Sequence, residues 1–359
     1  MPGPNERDPE ETRARLTEWL AERMPDAREL QIGELAGPSN TGFSNDTLLF
    51  DLAWQEAGAP RSQGLVARIK PTGYQVFPEY DLSLQYRVMK ILGEQSSIPV
   101  PRMFWMEEDE SVFGAPFYVM ERVEGRIPSD NPPYHAGGWL HEVEPAEREA
   151  IWWSGFDTMA ELHRLDWRKL GLEFLETPDP GETHLEKQLR YCQRYLDWAT
   201  RNRRNPTVEK GLEWLWANRP QQPEPVGLVW GDARIGNMIF RDGRCVAVLD
   251  WEMATLGNPE QDFAWAFFLD RHHSEGVGAP RLEGFPSRAA TLARYEEKSG
   301  LEVEHFHYYE VFAAVRFGVI MMRIGQQLNH YDLIPDESDF EVNNIVTRLL
   351  AKLLENSER

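Results

Sequence analysis

Two short apolar segments in the second half of the chain each run directly into an aspartate, and this pair constrains the fold more than any other feature. Residues 227–230 precede Gly231 and Asp232, and residues 245–249 precede Asp250. Short apolar runs bounded by turn residues are typical of buried strands. We therefore expect two short strands that present both carboxylates at their ends, within a region whose pattern is otherwise helical.

The residue types around these strand ends match the needs of phosphoryl transfer. Such a site needs a carboxylate that takes the proton of the acceptor hydroxyl, oxygen ligands for Mg²⁺ and a cation near the phosphate. Asp232 supplies the first, while Asn237, five residues later, and Asp250, eighteen residues later, supply the ligands. Arg234 is placed to reach the phosphate. Either aspartate alone could cap a turn or helix, and Arg234 could be structural, but the combination favours catalysis.

The remaining sequence divides into a strand-rich part and a helical part. An amphipathic helix is expected over residues 9–24 and a second helix over 80–92. Strands are expected at 30–36, 47–54, 65–69, 102–106 and 116–120, with a turn over 56–64. Later helices are expected at 147–163, 185–200, 208–216, 259–269, 287–297, 305–327 and 341–354, interrupted by strands at 227–230, 238–240 and 245–249.

This order predicts an α+β chain of two lobes. The divisions we expect are an N-terminal helix (1–27), a sheet lobe (28–120), a short connector (121–126) and a larger helical lobe (127–359). A chain of 359 residues is long enough for two such lobes.

The paired segments resemble the catalytic loop and metal-binding aspartate of the aminoglycoside phosphotransferase/choline kinase family, which shares the protein-kinase fold. The chain is most similar to members related to the kinase-like domain fused to acyl-CoA dehydrogenases. Supporting stretches are FYVMERVEG (117–125), ELHRLDW (161–167) and LDWEMATLGNPEQDFAW (249–265), and the likeness covers roughly residues 37–317. It implies a bilobal protein-kinase-like fold, with a small antiparallel-sheet N-lobe carrying one main helix and a mostly helical C-lobe.

The resemblance also assigns catalytic roles to matching positions. It makes Asp232 the catalytic base and makes Asn237 and Asp250 the Mg²⁺ ligands. Asp262 resembles the buried helix aspartate that hydrogen-bonds the backbone of the catalytic loop. Arg234 is expected beside the transferred phosphate.

A nucleotide site follows from the same resemblance. The segment with Met120, Glu121 and Val123 resembles the hinge that meets the nucleotide base. Ser44 and Asn45 resemble the loop that covers the phosphates, although both are also ordinary turn residues.

Two departures from the family pattern concern the catalytic loop and the phosphate clamp. Trp230 stands where the family has a histidine of mostly architectural role. Arg68 aligns best with the usual phosphate-binding lysine, with Lys70 as the other candidate. Alternation places both on one face of the strand. The helix position expected to hold a glutamate carries Gln85, which cannot form an ion pair, and Glu79 is the possible substitute.

Several other polar residues are given structural rather than functional interpretations. His163 is expected to be a buried, satisfied histidine. His272 and His273 are adjacent and face different ways, so they do not suggest a metal site. Glu252 is expected to neutralise a neighbouring charge rather than to bind metal directly.

Composition narrows the class of partners and the compartment. The formal net charge of −21 disfavours nucleic acid as a partner. The apolar stretch 311–324 is interrupted by Arg316 and Arg323 and is short for a membrane span, and the N-terminus lacks a signal-peptide pattern. Two cysteines suggest no disulfide framework, and we expect a cytoplasmic protein without membrane partners.

The predicted function is therefore phosphotransfer from ATP, with GTP as the alternative donor, and with Mg²⁺, onto the hydroxyl group of a small molecule. The resemblance implies acceptors from aminoglycoside-like or choline-like alcohols to hydroxyacyl thioesters. The alternative is a nucleotide-binding pseudoenzyme with a regulatory or scaffold role, for which Trp230 and Gln85 are the support. Protein kinase activity is disfavoured because only twelve residues separate Asp250 from Asp262.

Overall fold

The N-terminal lobe is an antiparallel sheet of five strands with two helices, one before the first strand and one between the third and fourth strands. The computed structural model describes residues 8–37, 46–175, 179, 181–200, 203–220, 225–335 and 337–357. The lobe comprises α1 (Pro9–Arg23), β1 (Arg28–Ile32), β2 (Asp46–Glu56), β3 (Ala59–Ile69), α2 (Leu82–Gln95), β4 (Met103–Glu107) and β5 (Phe117–Glu121). The strand order is β1-β2-β3-β5-β4. Leu16, Trp19 and Leu20 of α1 are buried in the same apolar cluster as the sheet residues.

The β2–β3 hairpin is longer than the sequence predicted. The expected turn over 56–64 is wrong: the turn is only Ala57 and Gly58, with φ of 50° and 77°, and Glu56 pairs with Ala59. Two consecutive left-handed residues fit the twist of a two-residue hairpin. Pro60 is tolerated because β3 pairs with β5 only from Leu65 onward, so this end of β3 has one neighbour.

The C-terminal lobe is mostly helical and contains two small two-stranded sheets. Its helices are α3 (Trp139–Glu142), α4 (Pro145–His163), α5 (His184–Ala199), α6 (Pro206–Ala217), α7 (Glu260–His273), α8 (Arg288–Ser299), α9 (Phe306–His330) and α10 (Ile345–Ser357). Its strands are β6 (Gly227–Val229), β7 (Met238–Arg241), β8 (Arg244–Val248) and β9 (Thr255–Gly257), paired as β6 with β9 and β7 with β8. The predicted bilobal α+β fold is confirmed.

Helix α9 is the central helix of this lobe. Within the described part of the chain it is the one helix whose length and composition would suit a membrane span, yet 67% of its apolar window is buried inside the protein. Its buried residues share an apolar cluster with α5, α6, α7 and α10. The burial of α9 is therefore accounted for by packing within the lobe.

A second connection between the lobes is made by the segment between β3 and α2, residues 70–81, which we call the interlobe strap. Val76 is 1% exposed and belongs to the apolar cluster of the C-lobe helices. Its carbonyl accepts a hydrogen bond from the Tyr195 hydroxyl at 2.6 Å, and the Gln75 carbonyl accepts one from Arg323 at 2.7 Å. Tyr74 donates to Gln326 at 3.3 Å. The strap thus attaches the N-lobe to α5 and α9.

Candidate active site

The loop after β6 carries a hydrogen-bonded pair of side chains. Asn237 Nδ2 donates to Asp232 Oδ2 at 2.6 Å and to the Asp232 carbonyl at 3.1 Å. Ile235–Asn237 form one turn of 3-10 helix, which brings Asn237 back beside Asp232. Both bonds use the amide nitrogen of Asn237, so its amide oxygen is the atom left to face a metal ion.

Asp250 lies beside this pair. The Leu249 N–H donates to the Asn237 carbonyl at 2.8 Å, which holds the end of β8 against the catalytic loop. Asp250 has a φ of 61°, a left-handed conformation that is uncommon outside glycine and clusters at functional sites. Its Oδ1 accepts a hydrogen bond from Arg68 at 2.9 Å. The structure therefore brings together Asp232, Asn237, Asp250 and Arg68.

Trp230 occupies the position of the family histidine and holds the two loops together. Its indole Nε1 donates to the carbonyls of Leu249 at 2.8 Å and of Asp250 at 3.1 Å. Next to it, Gly231 has a φ of 93°, and a Cβ there would collide with the Met253 carbonyl. Only glycine allows the catalytic loop to approach the loop after Asp250 so closely. The departure at Trp230 therefore leaves an architectural N–H donor in place.

Asp262, at the start of α7, anchors the catalytic loop from beneath. It is fully buried, and its two oxygens accept hydrogen bonds from the Trp230 N–H at 2.6 Å and the Gly231 N–H at 2.8 Å. His163 Nε2 lies 3.0 Å from Asp262 Oδ2, and His163 Nδ1 lies 2.6 Å from the Tyr295 hydroxyl. The structural role predicted for Asp262 and the buried, satisfied state predicted for His163 are both confirmed.

Arg68 is the cation of the nucleotide side of the site. Burial alone would lower the pKa of its guanidinium, but Asp250, Tyr118 and Glu252 together more than offset this and raise the pKa above its ordinary value. Lys70 follows the end of β3 and makes no side-chain ion pair within the described part of the chain. Of the two candidates, Arg68 is the one that the structure places against Asp250.

The expected helix partner of Arg68 is not supplied by α2. Gln85 is buried, and its side-chain oxygen accepts a hydrogen bond from the Tyr118 hydroxyl at 3.3 Å. Glu79 is exposed in the interlobe strap. The partner of Arg68 is instead Asp250, at 2.9 Å, because a neutral glutamine at the α2 position leaves that carboxylate as the neighbouring negative charge. The substitution of Glu79 for the missing glutamate is therefore wrong.

Arg234 lies between two carboxylates. Its Nη1 contacts Asp130 Oδ1 at 2.6 Å and Oδ2 at 2.8 Å, and its Nε lies 3.3 Å from Asp232 Oδ1. Burial would lower the pKa of Arg234, but Asp130 and Asp232 raise it above its ordinary value. Asp130, which follows the hinge in sequence, was missed by the sequence reasoning.

Further residues on α7 and α9 surround Asp232 and were also missed. Trp265 Nε1 donates to Asp232 Oδ1 at 2.7 Å, and the indole is 2% exposed. Arg316 stacks over the Trp265 ring at 4.9 Å, and Phe317 contacts the same ring at 5.8 Å. His272 packs on Phe317 at 5.2 Å, and burial lowers the pKa of His272 to about 4. Trp265 is therefore the direct partner of Asp232, and Arg316, Phe317 and His272 pack behind it.

The segment predicted as the hinge connects β5 to the C-lobe. Met120 is buried in the apolar cluster that joins the two lobes. Glu121 ends β5, and its carboxylate accepts a hydrogen bond from a neighbouring backbone N–H at 3.3 Å. Val123 follows and is half-buried. Ser44 and Asn45, the predicted phosphate-covering residues, lie outside the described residues.

Comparison with known families gives this arrangement its context. A sequence profile described as "phosphotransferase enzyme family" matches residues 39–297, which is more than half of the chain. The chain belongs to this phosphotransferase family. The family match includes Asp232, Asn237, Asp250 and Asp262.

Several curated relatives of this family member are much longer proteins. "Probable acyl-CoA dehydrogenase IBR3" of Arabidopsis thaliana is 31% identical over 77% of this chain and 34% of its own length. "Acyl-CoA dehydrogenase family member 11" of Gallus gallus is 34% identical over 70% of this chain and 30% of its own length. The human protein of that name is 32% identical over 62% of this chain and 28% of its own length. The chain thus spans about a third of the length of these relatives.

Solved phosphotransferase structures share the fold. A presumed aminoglycoside phosphotransferase from Ralstonia eutropha is 27% identical, with a TM-score of 0.68 over 94% of this chain and 96% of that one. A thermostable mutant of aminoglycoside phosphotransferase APH(4)-Ia, solved with AMP-PNP and hygromycin B, is 15% identical, with a TM-score of 0.56 over 95% and 98%. The second likeness concerns the fold alone.

The donor set of the phosphotransferase site suits Mg²⁺. Among the described residues there is no group of three or more His, Cys, Asp or Glu side chains placed to hold a metal by themselves. Mg²⁺ takes hard oxygen ligands and needs only one or two protein carboxylates when phosphates complete its coordination. Asp250 and the Asn237 amide oxygen fit that requirement. Glu252 raises the pKa of Arg68, as expected of a residue that offsets a neighbouring charge.

Proposed function

We propose that this phosphotransferase family member transfers the γ-phosphoryl group of ATP, or of GTP, to a hydroxyl group of a small molecule with the help of Mg²⁺. The observation that carries the proposal is the cluster of Asp232, Asn237, Asp250 and Arg68. Asn237 donates to Asp232 at 2.6 Å, Arg68 donates to Asp250 at 2.9 Å, and the Leu249 N–H, next to Asp250, donates to the Asn237 carbonyl at 2.8 Å. A proton acceptor, metal ligands and a phosphate-facing cation are the parts that phosphoryl transfer requires.

Each residue has a defined task in this reaction. Asp232 accepts the hydrogen bond of the acceptor hydroxyl and then its proton. The hydroxyl oxygen forms a bond to the γ-phosphorus as the bond to the β–γ bridging oxygen breaks, and the nucleoside diphosphate leaves. Asn237 and Asp250 would hold Mg²⁺, which supplies charge neutralisation for the phosphates when bound. Arg68 and Arg234 add positive charge on either side, and because the transition state is loose, their positioning matters more than the strength of the base.

For the acceptor, we put a hydroxyacyl thioester first, ahead of aminoglycoside-like or choline-like alcohols. The support is the match of this chain to about a third of proteins that are named acyl-CoA dehydrogenases. A reducing cytoplasm is the compartment we propose, with both cysteines free.

The first experiment is thermal unfolding with ATP or GTP, each with and without Mg²⁺. A ligand at a hundred times its Kd stabilises the native state by about 2.7 kcal/mol. We expect a Mg²⁺-dependent rise of the midpoint in the wild type and its loss in Asp250→Asn. Asparagine is the chosen substitute because it tolerates the left-handed backbone at φ 61°.

Asp242→Asn is the matched control, since Asp242 is also left-handed, at φ 51°, but lies in the β7–β8 turn. It should keep the shift. Absence of any shift with either nucleotide at millimolar concentration would contradict the nucleotide site. A shift that survives Asp250→Asn, without turnover of hydroxyacyl thioesters, aminoglycosides or choline, would favour the pseudoenzyme alternative.

A further inference from the structure

Arg234 is a largely buried cation that contacts two carboxylates, Asp130 and the proposed base Asp232. Its side chain is 18% exposed and makes two short contacts with Asp130, at 2.6 and 2.8 Å. Its contact with the proposed base Asp232 is longer, at 3.3 to 3.4 Å, and uses only Nε. The guanidinium is therefore held mainly by Asp130, and Asp232 is left on its edge.

The absence of a side chain at Gly236 leaves room for this arrangement. A Cβ at Gly236 would collide with Arg234 Nη1 and would lie 3.0 Å from Asp130 Oδ1. The guanidinium thus passes directly over the Gly236 backbone on its way to Asp130. A side chain at position 236 would compete with Arg234 for this space, so the glycine leaves the path of the guanidinium to Asp130 open.

Besides Asp130, the carboxylates that act on Arg234 are Asp232, which contacts it, and Asp250. The ring of His273 lies 3.6 Å from Asp130 Oδ1, and burial lowers the pKa of His273 well below its ordinary value, so it is neutral near pH 7. A buried guanidinium that loses its carboxylate partner is left with a large desolvation cost. The carboxylate already within 3.4 Å is Asp232. Without Asp130, Arg234 should close onto Asp232 as a two-pronged pair.

We propose that Asp130 is a positioning residue for the phosphotransfer described above: it draws the Arg234 guanidinium away from Asp232, so that the Asp232 carboxylate stays available to the acceptor hydroxyl. Asp130 itself does not take the proton. It acts through Arg234, and this inference therefore rests on the proposed function of Asp232.

The test is a double-mutant cycle of Asp130→Ala and Arg234→Ala, with Mg²⁺-ATP hydrolysis, in which water is the acceptor, as the readout. Asp130→Ala should lower kcat by about 10-fold or more, because a neutralised base loses much of its contribution. The KM for Mg²⁺-ATP should change by less than about 2-fold, since Asn237 and Asp250 are untouched. In the Arg234→Ala background, Asp130→Ala should have less than about a 2-fold effect.

Asp157→Ala is the matched control. Asp157 forms an equally short pair with Arg294, at 2.7 and 2.8 Å, between α4 and α8, and its removal should leave kcat unchanged. A loss of kcat in Asp130→Ala that persists undiminished without Arg234 would overturn the proposal, because Asp130 would then act by itself. So would an unchanged kcat in Asp130→Ala.

A crystal structure of Asp130→Ala decides the question independently of turnover. Two guanidinium nitrogens of Arg234 bonded to the Asp232 carboxylate are expected, and an arginine that keeps its original position would overturn the proposal. If the wild type neither binds nor hydrolyses Mg²⁺-ATP, the proposed function fails, and this structural result still supports or overturns the role of Asp130.

Discussion

Replacement of Trp265 by phenylalanine tests how much the orientation of the proposed base matters. The indole N–H donates to Asp232 Oδ1 at 2.7 Å from a side chain that is 2% exposed. A hydrogen bond to a charged group contributes about 1.5–3 kcal/mol. If the loss of this hydrogen bond destabilises the transition state by the same free energy, kcat should fall by roughly 10-fold to 100-fold, at about 1.4 kcal/mol for each factor of ten.

The assay compares steady-state kcat and KM of Trp265→Phe with those of Trp152→Phe. Trp152 is 1% exposed, and its Nε1 donates to Thr291 at 2.9 Å, so this variant loses an equally buried ring edge and hydrogen bond away from Asp232. Both variants should lose thermal stability, and only Trp265→Phe should lose kcat, with the KM for Mg²⁺-ATP nearly unchanged. Equal kcat values in the two variants would refute the reasoning.

Two other predictions concern groups behind the site. Asp262→Asn replaces the carboxylate that binds two backbone N–H groups with an amide, so we expect about 3 kcal/mol of destabilisation and a lower kcat. Denaturant unfolding and steady-state turnover measure the two effects, and unchanged turnover would contradict the anchoring role. Burial lowers the pKa of His272 from 6.5 to about 4, so the unfolded chain takes up a proton first and stability is lost as pH falls from about 6.5 towards 4. The thermal midpoint of His272→Asn should fall less than that of the wild type over this range, and identical slopes would exclude the effect.

The sequence could predict those parts of the site that lie close together along the chain. Asp232 and Asp250 each follow an apolar run and Asn237 lies five residues after Asp232, so their spacing, together with the family resemblance, indicated one site. Asp262 could be predicted for a similar reason, because it lies in the first turn of the helix that follows the loop after Asp250. In these cases local structure determines the contact.

Contacts between distant elements could not be read in this way. Asp130, in the segment after the hinge, lies 102 residues before Asp232 and contacts its neighbour Arg234. Trp265, in helix α7, lies 33 residues after Asp232 and contacts it directly. Arg68 pairs with Asp250 because the packing of the two lobes brings the two side chains together. The neutral Gln85 in the sequence did not indicate which carboxylate would be the partner. Trp265 did offer one signal, since it lies three residues after Asp262 and thus on the same helix face.

The two lobes are connected in two places. The hinge joins them covalently, and the interlobe strap joins them through noncovalent contacts. A wide opening of the cleft about the hinge would expose Val76 and break the bonds that Tyr195 and Arg323 make to the strap. Exposing a buried valine costs about 1.5–3 kcal/mol and each hydrogen bond about 1 kcal/mol, so such an open state should be rarer than the closed one by about 10²-fold or more. A nucleotide bound at the proposed site would therefore enter a site that is already formed, which lowers the ordering cost of binding.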